Sequence, residues 1–244
     1  MKLLNNKSQE IYIDHFHGRG IIDHIRTKGI PPFVLNVPIK NADSDRIQII
    51  TAATSYNIKD MILIKQLEDN NIPYINKVPT DLTRRDWYNL KKIPIILESL
   101  KETNKEYSLF LDARDVVIVK DLDLLVESFL MKKKKIIFNA CVNNFPPDCH
   151  YDDFMDRSVM GAYKYCNSGV FMGKTVDLIP YFEYLNSIKD NIPNPMRDDQ
   201  LIVRYALEQF KDDVGYDYEC DLFQAYGFTF LVPVDKENQI YRAQ

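Results

Sequence analysis

No stretch of the chain approaches the roughly 20 apolar residues that a membrane-spanning helix needs, so no transmembrane segment is expected. The opening residues, Met-Lys-Leu-Leu-Asn-Asn-Lys, lack the apolar core of a secretion signal. Cysteine is scarce: Cys141, Cys149, Cys166 and Cys220, with no C-x-x-C spacing. That argues against a zinc ribbon or a disulfide framework and for buried thiols in a reducing, cytoplasmic compartment. His150 beside Cys149 is too small a group to define a metal site. Neither charge sign dominates; the formal net charge is -4, which excludes broad nucleic-acid binding by charge. The clearest charge run, Lys132 through Lys135, follows a helical pattern and reads as a solvated helix C-terminus favoured by the macrodipole. Contact with a membrane or an anionic ligand is the alternative. Internal repeats and low-complexity linkers are absent, and no histidine follows His150.

What is present is the pattern of one large α/β domain. The chain has 244 residues, 45% of them hydrophobic and 27% charged, enough for a sizeable buried core. Residues 1–44 are the least regular: a possible strand at 10–16, a short helix at 20–28, then a break at Gly29-Ile-Pro-Pro32. His15 and His17 flank Phe16 there; one strand face would carry both imidazoles, as in a metal site, or they are packing or surface histidines. From Arg46 the pattern alternates. Strands are expected at 47–53, 73–78, 108–111, 116–119, 136–141 and 170–172. Helices are expected at 60–70, 93–103 with Pro94 in the first turn, from an Asp121 or Asp123 cap to Leu130, at 177–188, and at 201–210. Such alternation implies a mostly parallel sheet with helices on both faces.

The most informative segment is Tyr107-Ser-Leu-Phe-Leu-Asp112-Ala-Arg-Asp115-Val-Val-Ile-Val119. Ligands of open α/β sheets sit beyond the carboxyl ends of the strands. Two carboxylates placed there can chelate a hard divalent cation, which takes oxygen ligands and can neutralise a diphosphate leaving group. The structural alternative is that Asp112 and Asp115 shape a turn and pair with Arg114 or a lysine. Three further clusters stand in order around this one: Thr51-Ala-Ala-Thr54, Asn167-Ser-Gly169 and Asp198-Asp199-Gln200. Each has a structural reading of its own: a strand end, a bulge at Gly169, and an N-cap before a helix.

Together and in this order the clusters resemble a GT-A glycosyltransferase, in particular the glycosyltransferase domain of procollagen lysyl hydroxylases and the collagen glucosyl- and galactosyltransferases. The phrases that carry the resemblance are Leu111-Asp112-Ala-Arg-Asp115-Val-Val117, Asn144-Phe-Pro-Pro-Asp148, Tyr165-Cys-Asn-Ser-Gly-Val-Phe-Met-Gly173, Asp198-Asp-Gln-Leu-Ile-Val203 and Cys220-Asp-Leu-Phe-Gln224, within roughly 47–227. It implies a GT-A domain over 45–244, with 1–44 as an extension or a docking segment. It implies that Asp112 and Asp115 hold Mn2+ or Mg2+ against a sugar-nucleotide diphosphate. Thr51 would touch the nucleotide, Lys91 or Lys92 would face the phosphates, and Asn167, Ser168 and Gly169 would line the donor-sugar pocket. Asp198 and Asp199 would point at the sugar or the acceptor hydroxyl as the catalytic pair. Three departures stand out. Ala113-Arg114 replaces an aromatic residue between the aspartates, and Arg114 would stack on the base or pair with phosphate. Phe145 replaces a tryptophan. A histidine that relatives supply as third metal ligand near the C-terminal end has no counterpart after His150.

The resulting expectation is a metal-dependent transferase that moves a hexose from a nucleoside diphosphate sugar, UDP-glucose or UDP-galactose, to a hydroxyl of a glycan, protein or lipid-linked acceptor. The alternative is a catalytically impaired nucleotide-sugar or carbohydrate-binding protein on the same fold. A phosphatase of the haloacid dehalogenase type, using Asp121-Leu-Asp123, is a third reading that lacks the Thr or Val expected after the second aspartate.

Overall fold

The computed structural model describes residues 2–4, 13–16, 45–54, 61–82, 86–146, 163–226, 231–235 and 240–243. The expected helix at 20–28, the Pro31-Pro32 break, His17, Pro147, Asp148, Cys149 and His150 lie outside the described residues.

Apolar five- and six-residue runs become the buried strands of a central sheet. These are β3 (Ile47–Thr51), β5 (Tyr107–Leu111) and β7 (Ile136–Cys141), joined by β4 (Tyr74–Asn76), β8 (Tyr165–Lys174) and β9 (Val214–Tyr216). The order is β4-β3-β5-β8-β7-β9. All neighbours are parallel except β8, which runs antiparallel to both β5 and β7. Strands buried on both faces read as continuous hydrophobic runs, which is why β5 and β7 were legible without alternation.

One face of the sheet is covered by α2 (Lys92–Glu102), α4 (Thr175–Ile188), α5 (Asp199–Tyr205) and α6 (Leu207–Phe210). Ile93, Ile96 and Leu100 from α2 meet Leu178, Phe182 and Leu185 from α4 over Phe110 and Phe171. The opposite face is covered by α1 (Ile62–Asp69), α3 (Leu125–Leu130) and a smaller sheet. In that sheet β2 (Ile13–Phe16) lies between β10 (Phe223–Tyr226), its parallel partner, and β6 (Val116–Ile118), its antiparallel partner. Ile13 is fully buried, and its N–H donates to the Leu222 carbonyl at 3.2 Å. The other edge of β6 is closed by the Gln66 carboxamide, which donates to the Ile118 carbonyl at 2.7 Å and accepts its N–H at 2.8 Å. A third sheet joins β1 (Lys2–Leu4) to β12 (Ile240–Ala243) and β12 to β11 (Leu231–Asp235). The result is the mostly parallel sheet with helices on both faces that the alternating pattern implies.

Three expectations need correction. The strand expected at 170–172 is ten residues long, because Asn167-Ser-Gly169 continues the strand as a bulge: Phe138 pairs with Phe171, but Asn139 pairs with Asn167, so 168–170 oppose a single step of β7. Neither Asp121 nor Asp123 caps α3; its N-cap is Leu124, with no side-chain capping bond. The lysine run is largely spent within the fold. Lys132 Nζ lies 2.6 Å from both Asp217 and Asp221, Lys134 donates to the carbonyls of Lys211 and Asp212, and Lys135 pairs with Asp213 at 3.0 Å.

Glycine at 173 is dictated by packing. A Cβ there would meet the Lys135 carbonyl oxygen at 2.9 Å and Leu178 Cγ at 3.0 Å, whereas at Gly215 the nearest atom, also at 2.9 Å, is Cγ of the flexible Lys134. Gly173→Ala is expected to lose about 1–3 kcal/mol, the usual range for overpacking a rigid core, and Gly215→Ala clearly less. Urea unfolding of the two variants checks this; equal losses would contradict the assignment.

Candidate active site

Strands β3 and β5 end side by side. Thr51 Oγ1 donates to the Leu111 carbonyl at 2.7 Å, and Asn76 holds the next residues by accepting the Ala53 N–H and donating to its carbonyl. The Asp112 N–H donates to the Gly169 carbonyl at 2.8 Å, so the β5 end is tied to the β8 bulge. On the other side the Leu63 N–H, in the first turn of α1, donates to the Ala113 carbonyl at 3.2 Å. Asp112 and Asp115 are half-buried and Arg114 is exposed in this turn. The sheet thus gathers Thr51, Asp112, Asp115 and Asn167-Ser-Gly169 at one end.

The α2 and α5 starts close over that end. Lys92, the first residue of α2, is buried, with Nζ 3.2 Å from Asp112 Oδ1 and 3.1 Å from Asp199 Oδ2. Burial pushes the ammonium down, but the charges of Asp112, Asp199 and Asp198 outweigh it and hold it above the ordinary lysine value. Asp199 is pushed up by burial and by Asp112, with Lys92 opposing. Asp198 is pushed up by burial and by Asp199. Asp199 Oδ1 is buried with no hydrogen-bond partner among the described residues. Three carboxylates around one ammonium leave a net negative charge.

The two adjacent aspartates differ in role. Asp198 is the N-cap of α5: its Oδ1 accepts the Gln200 N–H at 2.9 Å, and its Oδ2 accepts from Asn89 Nδ2 at 3.2 Å. Asn194 holds its backbone from both sides. The residue before it, Arg197, has a left-handed backbone (φ 51°), uncommon for a non-glycine. Its carbonyl accepts the Leu90 N–H at 2.9 Å, and its guanidinium lies over the Tyr88 ring at 4.9 Å. Lys91, the neighbour of Lys92, also rests on Tyr88, with Nζ 4.8 Å from the ring centre. Of the lysine pair, Lys92 therefore enters the acidic cluster and Lys91 stays outside it.

The bulge is fixed from α5. The Ser168 N–H donates to Gln200 Oε1 at 3.1 Å, and the Gly169 N–H to Asn167 Oδ1 at 3.0 Å. Gln200 Nε2 also reaches the Phe145 carbonyl. The fully buried Arg204 forks onto the carbonyls of Phe145 and Pro146, at 2.9 and 3.0 Å, and onto Asn144 Oδ1, at 2.7 Å. Asn76, Asn89, Asn194, Gln200 and Arg204 escaped the sequence reading of the site. A polar residue that pairs with a distant segment leaves no periodic trace, whether buried like Arg204 or exposed like Asn89; Gln200 was noticed only as part of the Asp198-Asp199-Gln200 phrase. Asp121 and Asp123 lie on the short link between β6 and α3, outside this cluster.

Sheet and cluster together define a Rossmann-like α/β protein with an acidic site beyond its strand ends. The family described as the PLOD GT domain matches residues 88–238, a span that holds Lys92, Asp112, Asp115, the bulge and Asp198-Asp199. The chain belongs to this family of glycosyltransferase domains. It is also similar to the uncharacterized protein R699 of Acanthamoeba polyphaga mimivirus, 28% identical over 138 residues, which cover 56% of this chain and 28% of that protein. The matched region is thus under a third of that relative's length. Distant structural similarity extends to a glycosyltransferase involved in glycosylation of the major capsid of PBCV-1 (TM-score 0.44, 15% identity, 70% of this chain and 81% of that one). It extends also to the glycosyltransferase GlyE of Streptococcus pneumoniae TIGR4 (0.40, 11%, 70% and 45%) and to the galactosyltransferase LgtC in complex with donor and acceptor sugar analogs (0.39, 16%, 69% and 72%).

Lys92→Met tests the cluster. Removing one partner of a buried ion group leaves its carboxylates uncompensated, so a loss of about 3–5 kcal/mol is expected at neutral pH. The sign with pH follows from the carboxylates. Lys92 opposes the upward shift of Asp198 and Asp199, so without the ammonium their folded-state values rise further, and the variant's stability recovers as pH falls and they protonate. Urea unfolding at neutral and acid pH is the measurement; a small or pH-independent deficit would refute the arrangement.

Proposed function

We propose that the protein transfers a hexose from a nucleoside diphosphate sugar, UDP-glucose or UDP-galactose, to a hydroxyl of a glycan, protein or lipid-linked acceptor. Mn2+ or Mg2+ is held by Asp112 and Asp115. The observation that carries this reading is the buried Asp112–Lys92–Asp199 cluster at the strand ends of a PLOD GT domain chain. The cluster's surplus of negative charge and the partnerless Asp199 Oδ1 fit a divalent cation bound close by. When bound, the cation supplies charge neutralisation to the departing diphosphate.

The chain's own residues do the rest. Thr51 and Arg114 meet the nucleotide, with the Arg114 guanidinium available to stack on the base or pair with phosphate. Asn167, Ser168 and Gly169 line the donor sugar, on a bulge whose amides are already fixed by Gln200 and Asn167. Lys91 faces the phosphates from outside the cluster, while Lys92 sets the spacing and charge of Asp112 and Asp199. Asp198 keeps α5 capped, both its oxygens being engaged. Asp199 is the group that meets the sugar or the acceptor hydroxyl. Its raised affinity for protons makes it a better base than an ordinary aspartate. Segment 1–44 is an N-terminal extension or docks the acceptor or a partner. The scarcity of cysteine and the burial of Cys141, Cys166 and Cys220 support a reducing, cytoplasmic compartment, and no helix among the described residues is long and apolar enough to cross a membrane.

One observation favours a binding protein without catalysis: no group of three or more His, Cys, Asp or Glu poised to hold a metal occurs among the described residues. Hydrolysis of UDP-glucose and UDP-galactose with Mn2+ decides between them. Turnover is expected in the wild type and its loss in Asp112→Asn and Asp115→Asn, with cooperative unfolding retained. Binding of the donors without turnover would favour the alternative.

The aspartates of α5 separate by substitution with serine. Asp198→Ser keeps an acceptor for the Gln200 N–H but loses the bond from Asn89, so a lower melting temperature is its main effect. Asp199→Ser is expected to reduce transfer by roughly a hundredfold or more, the scale of a lost general base, with a smaller change in melting temperature. Wild-type transfer rates in Asp199→Ser would remove this residue from the chemistry.

A further inference from the structure

Two segments meet at the rim of the acidic cluster, the turn at 88–92 and the 197–199 start of α5. Each sends one charged residue in and keeps one out. Lys92 and Asp199 go in and touch at 3.1 Å. Lys91 and Arg197 stay out and share one aromatic ring, with Lys91 Nζ 4.8 Å and the Arg197 guanidinium 4.9 Å from the centre of Tyr88. Cations close by, such as Lys77 and Lys101, pair with Glu102 and Glu183. No carboxylate among the described residues pairs with Lys91 or Arg197. Arg197 is exposed, and two residues along the chain it meets Asp199, so their Cα atoms stand no more than about 8 Å apart.

The backbone marks the same residue independently. Arg197 holds a left-handed φ of 51°, a conformation unfavourable for a long side chain and one that gathers at functional sites. The surroundings impose it: the Arg197 N–H donates to the Asn194 carbonyl at 3.0 Å, and its own carbonyl accepts the Leu90 N–H at 2.9 Å. Glycine would sit there without strain. What arginine adds is therefore its side chain, held on Tyr88 beside the group that meets the acceptor. A guanidinium takes carboxylate or phosphate oxygens in pairs, and one already stacked on a ring loses little freedom in doing so. Without it, the negative surplus of Asp112, Asp198 and Asp199 would repel an anionic acceptor. We infer that Arg197 selects the acceptor. The hydroxyl brought to Asp199 belongs to an acidic sugar, whose carboxylate or phosphate ester Arg197 grips. Lys91, on the same ring, keeps to the donor phosphates. The inference rests on the transferase reading above and deepens it by naming the chemical class of the acceptor.

The test offers the full chain three matched sets of acceptors, with UDP-glucose or UDP-galactose and Mn2+. These are the methyl glycosides of glucose and galactose, the same glycosides phosphorylated on the primary hydroxyl, and the corresponding uronates. Transfer is followed by mass spectrometry. The wild type is expected to use charged members with a KM about tenfold or more below that of their neutral counterparts, and the two charged sets show which anion it takes. In Arg197→Gln that advantage disappears through the acceptor KM, while the donor KM and the melting temperature change little. Arg197→Lys, with a point charge in place of the fork, recovers part of it. Added salt shrinks the advantage in the wild type, because exposed charges are screened. Neutral acceptors used as well as charged ones, a preference that Arg197→Gln retains, or a rise in donor KM rather than acceptor KM overturns the inference alone. So does donor hydrolysis with no glycoside labelled. A wild-type protein that neither hydrolyses nor transfers from either donor overturns the transferase reading and this inference together.

Discussion

The Lys92 ammonium, buried among Asp112, Asp198 and Asp199, is the interaction on which the site depends. Each carboxylate sits on a different constraint: Asp112 on the end of β5, Asp198 on the cap of α5, Asp199 in the first turn of that helix. Like charges at such spacing repel, and burial makes each of them costlier to ionise. One cation placed within 3.2 Å of two of them lets the segments approach. It does not cancel their charge. The remainder is a surplus of acidic groups gathered at the strand ends.

Around that centre the polypeptide is held by polar side chains rather than by apolar packing alone. Arg204 is wholly buried, an unusual position for arginine, and is tolerated because its planar fork finds three oxygens on 144–146. Gln200 spans from the Ser168 N–H to the Phe145 carbonyl. The single helix α5 therefore fixes two irregular stretches that would otherwise leave buried backbone groups unsatisfied. Its own start is fixed by the Asp198 cap and by the Leu90 N–H bond to Arg197. The β8 bulge, the 144–146 stretch and the start of α5 are tied to one another for this reason.

Much of this was legible in the chain. Buried strands β5 and β7 announced themselves as unbroken apolar runs, and α2 and α4 by helical spacing of apolar residues. The phrases around Asp112, Asn167 and Asp198 drew attention by combining polar groups with strand or helix ends. Other features were illegible for physical reasons. A bulge at Gly169 was readable, but not that the strand starts at Tyr165 and runs through it, because Asn-Ser-Gly carries no strand signal where neighbouring strands do not impose one. A strand at 10–16 was readable, but not its place between β6 and β10, because a four-residue strand takes its partners from whatever edge and apolar face the rest of the fold leaves open. The lysines after α3 looked solvated, because nothing local tells of Asp217 and Asp221 some 85 residues later, at the end of β9.

By itself the sequence determined the local matters: which runs would be strands or helices, that the Asp198-Asp199 pair would stand at a helix start, and that two aspartates would close an apolar strand. These follow from side-chain volume, period and short-range hydrogen bonding, all of which act within a few residues. Only the tertiary structure decided that Lys92 rather than Lys91 enters the acidic cluster, that Arg204 turns inward, and that His15 lies beside Val116. Each is a contact between segments distant along the chain. Its sign and geometry are set by burial and by the direction in which neighbouring elements present their polar groups, and no local pattern encodes either.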